Sequence, residues 1–119
     1  MSELTFNLKT TVRPVVLEDA EGKQVKMALH EMSAAVRDRY LDSLTGRMRL
    51  DPSGQIAGVK KFEGLQSGLL VCCLKKEDGT LVTEKEVQEW PASVVTQLFQ
   101  AAQELNKLVR TPGDSEKNG

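Results

Sequence analysis

The chain has 119 residues, 39% of them hydrophobic, 28% charged and only 4% aromatic, with a formal net charge of −1. That length suits one globular domain with an aliphatic core and is too short for two comfortable ones. The near-zero charge excludes a global field that would gather nucleic acid or an anionic membrane onto the chain, and the longest apolar run, Leu69–Leu74, falls far short of the roughly 20 residues of a membrane span.

The first segment, MSELTFNLKTT, has neither a basic flank followed by an apolar stretch nor a small-residue cleavage site, so it is not read as an export signal. Within it Leu4-Thr-Phe-Asn-Leu8 alternates apolar and polar residues, which predicts a short strand. Val12–Leu17 is rich in β-branched residues, and Val25, Met27 and Leu29 alternate with polar or small neighbours. The Gly-bearing turn EDAEGK lies between them. This predicts a β-hairpin, with Pro14 placing its first strand at a sheet edge.

Ser33 is a good N-cap, and Val36, Tyr40 and Leu44 recur behind it at four-residue spacing, predicting a helix over 34–44 that stops at Gly46. From Thr45 to Lys61 the chain carries Pro52, Gly54 and Gly58 with no sustained period, and reads as a long loop of the functional or mobile kind. Between Arg37 and Lys61 the chain is locally basic: Arg37, Arg39, Arg47, Arg49, Lys60 and Lys61 stand against Asp38, Asp42 and Asp51. A nucleic-acid groove is one reading. The absence of interleaved stacking aromatics favours solvated loop charges and an Arg–Asp helix face.

Gly64–Leu74 is continuously apolar, which suits a buried strand or a buried helix. The spacing of Leu65, Leu69, Cys72, Cys73 and Lys76 favours a helix that ends before Asp78-Gly79. The stretch that follows, KEDGTLVTEKEVQEW, resembles a calcium loop at first sight. With Gly79 at position 6 of an EF-hand, however, positions 1, 3 and 12 are Leu74, Lys76 and Lys85, which cannot coordinate a hard cation. Asp-Gly instead makes a turn, and Thr83 with Glu86 forms a capping box that opens a short helix reaching Trp90.

Pro91 suits the first turn of a last and longest helix. There Val94, Val95, Leu98, Phe99, Ala101, Ala102, Leu105, Leu108 and Val109 form an apolar stripe wider than one packing partner requires. The width fits either a helix held between two layers of its own domain or one that also meets a partner. The helix is expected to stop before Pro112-Gly113, leaving 1–111 as a single domain and 112–119 as a disordered tail. The expected fold is α+β, an N-terminal hairpin or small antiparallel sheet followed by about four helices. Val36, Tyr40, Leu65, Leu69, Val87, Trp90, Leu98 and Leu105 are expected to share its core.

The sequence offers little catalytic chemistry. His30 stands alone at a strand end, and no other histidine supports a metal site. Glu84 and Glu86, at i and i+2 on a helix, point apart. The glycines spell neither a Walker loop nor a GxGxxG turn. Adjacent Cys72 and Cys73 lack the CxxC spacing of zinc or redox sites and read as small buried hydrophobes. The chain is therefore read as a non-enzyme with no cofactor and no metal.

Four segments in order, LHEMSAAVRDRYLDSL, GVKKFEGLQSGLLVCCL, the Asp-Gly turn with LVTEKEVQEWPASVV, and TQLFQAAQELNKL, together resemble the tail assembly chaperones of long-tailed, siphovirus-type phages and prophages. The likeness covers roughly residues 29–110, and WPASVVTQLFQAAQELN is its most specific part. The resemblance implies a non-catalytic protein of the host bacterial cytoplasm that binds the long helical tape measure protein, assists assembly of the major tail tube protein around it, and is absent from the mature virion. It also implies self-association as a homo-oligomer. A frameshifted longer form of the chain is implied too, since Glu116-Lys-Asn can be encoded by the slip-prone heptamer A AAA AAC. The partner-binding residues expected on the C-terminal stripe are Val95, Phe99, Ala102 and Val109. A structural head–tail connector or tail terminator, and a small bacterial regulatory adaptor favoured only by the basic loop, are the alternative readings.

Overall fold

The computed structural model describes residues 3–50, 52–53, 56–59 and 63–108. Its elements run β1 (Val12–Glu18), β2 (Gln24–His30), α1 (Ala34–Thr45), β3 (Met48–Leu50), β4 (Ile56–Val59), α2 (Leu65–Cys73), β5 (Leu74–Lys76), α3 (Glu84–Gln88) and α4 (Ala92–Leu105). The architecture is α+β: a three-stranded antiparallel sheet in the order β1-β2-β5, a separate two-stranded ribbon β3-β4, and four helices of which α4 is the longest.

The hairpin forms as its pattern dictates, with Val12 opposite His30 and Glu18 opposite Gln24. Its turn is closed by Asp19, whose Oδ1 accepts from the amides of Glu21 and Lys23 at 2.9 Å each. One face of the hairpin carries Val15, Leu17, Met27 and Leu29 toward the core, and Leu29 is fully buried. The other face leaves Val12 and Val16 exposed.

Ser33 caps α1, its Oγ accepting from the Val36 amide at 3.3 Å. The central helix α2 is held between α1, α3 and α4, and buries Leu69, Leu70 and Cys73. Its first residue follows Gly64, whose φ of +76° only glycine adopts without strain. Thr83 and Glu86 make the expected reciprocal capping box, each accepting from the other's backbone amide, at 3.2 and 3.1 Å. Around these elements lies one core of Leu29, Tyr40, Leu69, Leu70, Cys73, Leu74, Val82, Val87, Leu98 and Ala102.

Five expectations need correction. Residues 4–8 are not a strand: among the described residues nothing pairs with them, and Asn7 Oδ1 instead accepts from the Lys9 amide at 2.8 Å. The stretch 45–61 is not simply a loop, because Met48–Leu50 pairs antiparallel with Ile56–Val59. A register shift after Arg49 and the shortness of both strands erase the period that sequence reading relies on. The apolar helix does not continue to Lys76. At Leu74 the backbone turns extended, φ −94° and ψ 116°, because Leu74–Lys76 pairs with Met27–Leu29. Of the expected core, Tyr40, Leu69, Val87 and Leu98 are buried and Trp90 and Leu105 pack half-buried against them, whereas Val36 and Leu65 are half-buried outside the cluster.

The last helix, finally, ends at Leu105, well short of residue 111. Asn106 sits at the cap and is drawn aside: its Oδ1 accepts from the Met32 amide at 2.7 Å, while its Nδ2 donates to the Ala102 carbonyl at 3.0 Å. Lys107 then adopts φ +55°, and Leu108 N bonds back to the Gln103 carbonyl at 2.9 Å, a left-handed helix stop made without glycine. The expected tail, 112–119, lies outside the described residues.

Candidate partner-binding surface

The wide stripe of α4 is spent largely inside the domain. Leu98 and Ala102 are buried, and α4 packs on α2 along one side and approaches β2 on the other. Of the predicted contact residues, Ala102 is fully buried in the core, Phe99 packs half-buried against it, and Val109 lies outside the described residues. Val95 is half-buried and lines a cleft of about 370 Å³ with Leu65, Ser67, Val87 and Trp90, between the starts of α2 and α4. Among the described residues, Val95, Phe99 and Ala102 therefore do not form one exposed patch.

A larger apolar opening lies elsewhere. Between the core face of the hairpin and the first half of α4 is a groove of about 660 Å³, lined chiefly by Leu17, Val25, Met27, Trp90, Val94 and Leu98. It opens at the turn end of the hairpin, where Asp19 and Ala20 border it, and not at Leu29, which is fully buried. Leu17 and Met27 are therefore only half-buried, and Val25 is exposed at the rim. Trp90 lines both clefts, and Pro91, which fixes the entry of the chain into α4, borders the larger one. Sequence reading missed Leu17, Val25 and Val94 as surface candidates. Their signal was present in the period-2 pattern, which gives a face to each strand but not how far a helix covers it.

No protein-family model matches the chain, and no curated protein matches it. Among solved structures, that of the bacteriophage HK97 tail assembly chaperone is similar, at 21% identity, covering 79% of this chain and 85% of that one, with a TM-score of 0.46. A likeness of that degree assigns no function.

Away from these two clefts, the carboxylates of the Asp78–Glu86 stretch are occupied with structural work. Asp78, the residue behind the calcium-loop impression, accepts from the Thr80 hydroxyl at 2.6 Å and the Thr80 amide at 2.9 Å. That Thr80 hydroxyl, first among several causes, holds its carboxyl below the usual range. Gly79 at φ +90° completes the turn. Glu86 pairs with Lys76 at 2.8 Å, and its carboxyl is lowered by that lysine first and by Thr83 next. His30 is lowered by burial and then by Lys75.

Of the basic cluster, Arg37 pairs with Asp38 at 3.8 Å, and the Arg47 guanidinium donates to the Glu63 carbonyl. Lys60 and Lys61 lie outside the described residues. Among the described residues no three His, Cys, Asp or Glu side chains come together as a metal site would need. Burial pushes the Cys73 thiol up to about 12, aided by Cys72, and the Cys72 thiol is raised by burial as well. Neither is poised as a nucleophile. What the groove beside α4 offers is chiefly apolar contact.

Proposed function

We propose that the chain is a tail assembly chaperone of a long-tailed phage or prophage, which holds its tape measure protein soluble and assists tail tube assembly without catalysis. The reading rests on the segment Trp90–Asn106, the most specific part of the sequence resemblance. The same segment builds one wall of the open apolar groove. A long, largely helical client presents apolar side chains at i, i+3 and i+4, and an elongated apolar groove is the surface that receives such a face. The Leu-Asn of the resemblance also has a structural use, since Asn106 ties the end of α4 to the amide of Met32.

In this reading the tape measure protein is the client, the major tail tube protein is a second partner, and a frameshifted longer form of the chain acts with the short one in the host cytoplasm. Co-expression with the long helical gene of the same genome region tests it. The two products should co-purify, and Val25→Asp, which places a carboxylate on the exposed rim of the groove without entering the core, should abolish co-purification while leaving the circular dichroism spectrum unchanged. Presence of the chain in purified virions would replace the chaperone reading with that of a connector or tail terminator.

A further inference from the structure

Between α1 and α2 lies a groove of about 460 Å³ whose chemistry differs from that of the groove beside α4. From α1 it takes Val36, Arg39, Tyr40 and Ser43, which stand three and four residues apart and so share one face of the helix. Gly68, Val71 and Cys72 come from α2, and Arg47, Leu81 and Glu84 border it.

Tyr40 is only 6% exposed, yet it lines this groove. Among the described residues no hydrogen bond reaches its hydroxyl, and no enclosed side-chain oxygen there lacks a partner, so the hydroxyl opens onto the groove. Burial first, and then the Cys72 and Cys73 thiols, push its ionisation up to about 12 against the opposing pull of Arg47, so it stays an O–H donor at ordinary pH. A nearly buried donor without an acceptor marks a place for one.

Two guanidiniums share the groove with it. The ion pairs among the described residues are Arg37–Asp38 and Lys76–Glu86, which leaves Arg39 and Arg47 without a carboxylate. Arg47 gives one N–H to the Glu63 carbonyl. Glu84 is the carboxylate of the groove, and its Oε1 accepts from Ser67 Oγ at 3.4 Å and Gln88 Nε2 at 3.3 Å. Two guanidiniums against one carboxylate leave the groove with a single positive charge in excess.

Gly68 shows what else the groove is shaped to receive. A glycine inside a helix costs stability, and here a Cβ would meet nothing within 4 Å, so no neighbour in the described chain demands it. Its bare backbone extends an apolar floor to which Val36 and Val71, half-buried, and Leu81, 42% exposed, contribute.

We propose that this groove binds a segment of a protein partner that carries one aspartate or glutamate beside an aliphatic residue. The carboxylate takes the Tyr40 hydroxyl and the guanidiniums of Arg39 and Arg47, which balances the excess charge, and the aliphatic side chain lies over Gly68 against Val71 and Leu81. A nucleic-acid phosphate fits less well. One excess charge gathers few phosphates, and the buried Tyr40 ring has no face free to stack a base. The site shares no lining residue with the groove beside α4.

The test is an amide NMR titration of the full chain with the peptide acetyl-Ala-Leu-Glu-Val-Ala-amide at millimolar concentration. The resonances of Arg39, Tyr40, Gly68 and Val71 should shift together and saturate, and the same peptide with Gln in place of Glu should bind at least about tenfold more weakly, as loss of a charge-assisted pair requires. Arg39→Gln, a change at an exposed side chain, should weaken binding of the Glu peptide to a similar degree. Tyr40→Phe should weaken it with no loss of stability. Gly68→Leu, which sets a good helix former into the open space, should abolish binding with a melting midpoint no lower than that of the parent. Absence of saturating shifts, equal binding of the Gln peptide, or a folded Gly68→Leu protein that still binds would each overturn the proposal. So would displacement of the peptide by an equal concentration of inorganic phosphate or of a single-stranded oligonucleotide, since the groove would then select anions and not a protein segment. Gly68→Leu should leave co-purification through the groove beside α4 intact, so failure here and failure of the chaperone reading are separate results.

Discussion

Alkaline pH should unfold this protein through one thiol. Cys73 is 1% exposed in the middle of the core, with its Sγ directed at the Leu69 carbonyl at 3.4 Å, and burial pushes its ionisation from 9.0 in the unfolded chain to about 12. The folded state thus holds the proton more tightly than the unfolded state. The stability this represents is complete below pH 9 and is lost as pH rises from 9 toward 12. Each pH unit in that window removes about 1.4 kcal/mol, so at pH 11 the loss from Cys73 alone is roughly 2.7 kcal/mol, a large share of a small domain's stability. Tyr40, also raised to about 12 by burial and then by the two thiols, acts in the same direction above pH 10. Urea denaturation followed by far-ultraviolet circular dichroism at pH 8, 10 and 11 measures the slope. Cys73→Ala should begin about 1 kcal/mol less stable and lose stability with pH distinctly more slowly. Parallel pH curves for the two proteins would show that the Cys73 thiol is not desolvated, and the burial argument would fail.

Trp90→Ala should cost about 3 kcal/mol in urea denaturation, the low end for a truncated aromatic, because the clefts on both sides admit water into the space it leaves. A loss under about 1 kcal/mol would place Trp90 on the surface and make it a contact candidate in its own right. Thr83→Ala should cost about 1 kcal/mol through loss of the cap. Carbon-detected NMR titration should show the Glu86 carboxyl moving back toward its ordinary range in that variant and further in Lys76→Met, since Lys76 is the largest cause of its lowering. The depressed carboxyl stabilises the fold above its ordinary range and ceases to do so on acidification, so the difference between parent and Lys76→Met should shrink at low pH.

Elements specified by neighbours in sequence were legible in the chain. The hairpin announces itself by alternation, and Ser33 and the Thr83–Glu86 box announce helix starts by side chains that bond three residues on. What sequence reading could not reach was set by distant partners. Leu74 is as apolar as Leu70, and only pairing with Leu29 makes it a strand. The stop at Asn106 depends on Met32, 74 positions earlier, so a period continuing to Leu108 overran it. The surface proved hardest for a related reason. Amphipathic spacing says which side of α4 is apolar, but whether Ala102 or Val94 meets solvent depends on how α2 and the sheet diverge around it.

Leu74 also carries a mechanical consequence. Its N–H closes α2 on the Leu70 carbonyl, its own carbonyl accepts from the Val82 amide at 3.0 Å, and its side chain, fully buried, stands opposite Leu29 across the β2–β5 ladder. Helix passes into strand there with no intervening loop, so no hinge separates the helical half of the molecule from the sheet. A load applied to α4 by a bound partner passes through α2 straight into β2, without slack to absorb it. The N-terminal hairpin, although local in sequence, is thereby denied independent motion. It should lose its amide protection together with the helices in a single step, and a partner seated against either half would stiffen both.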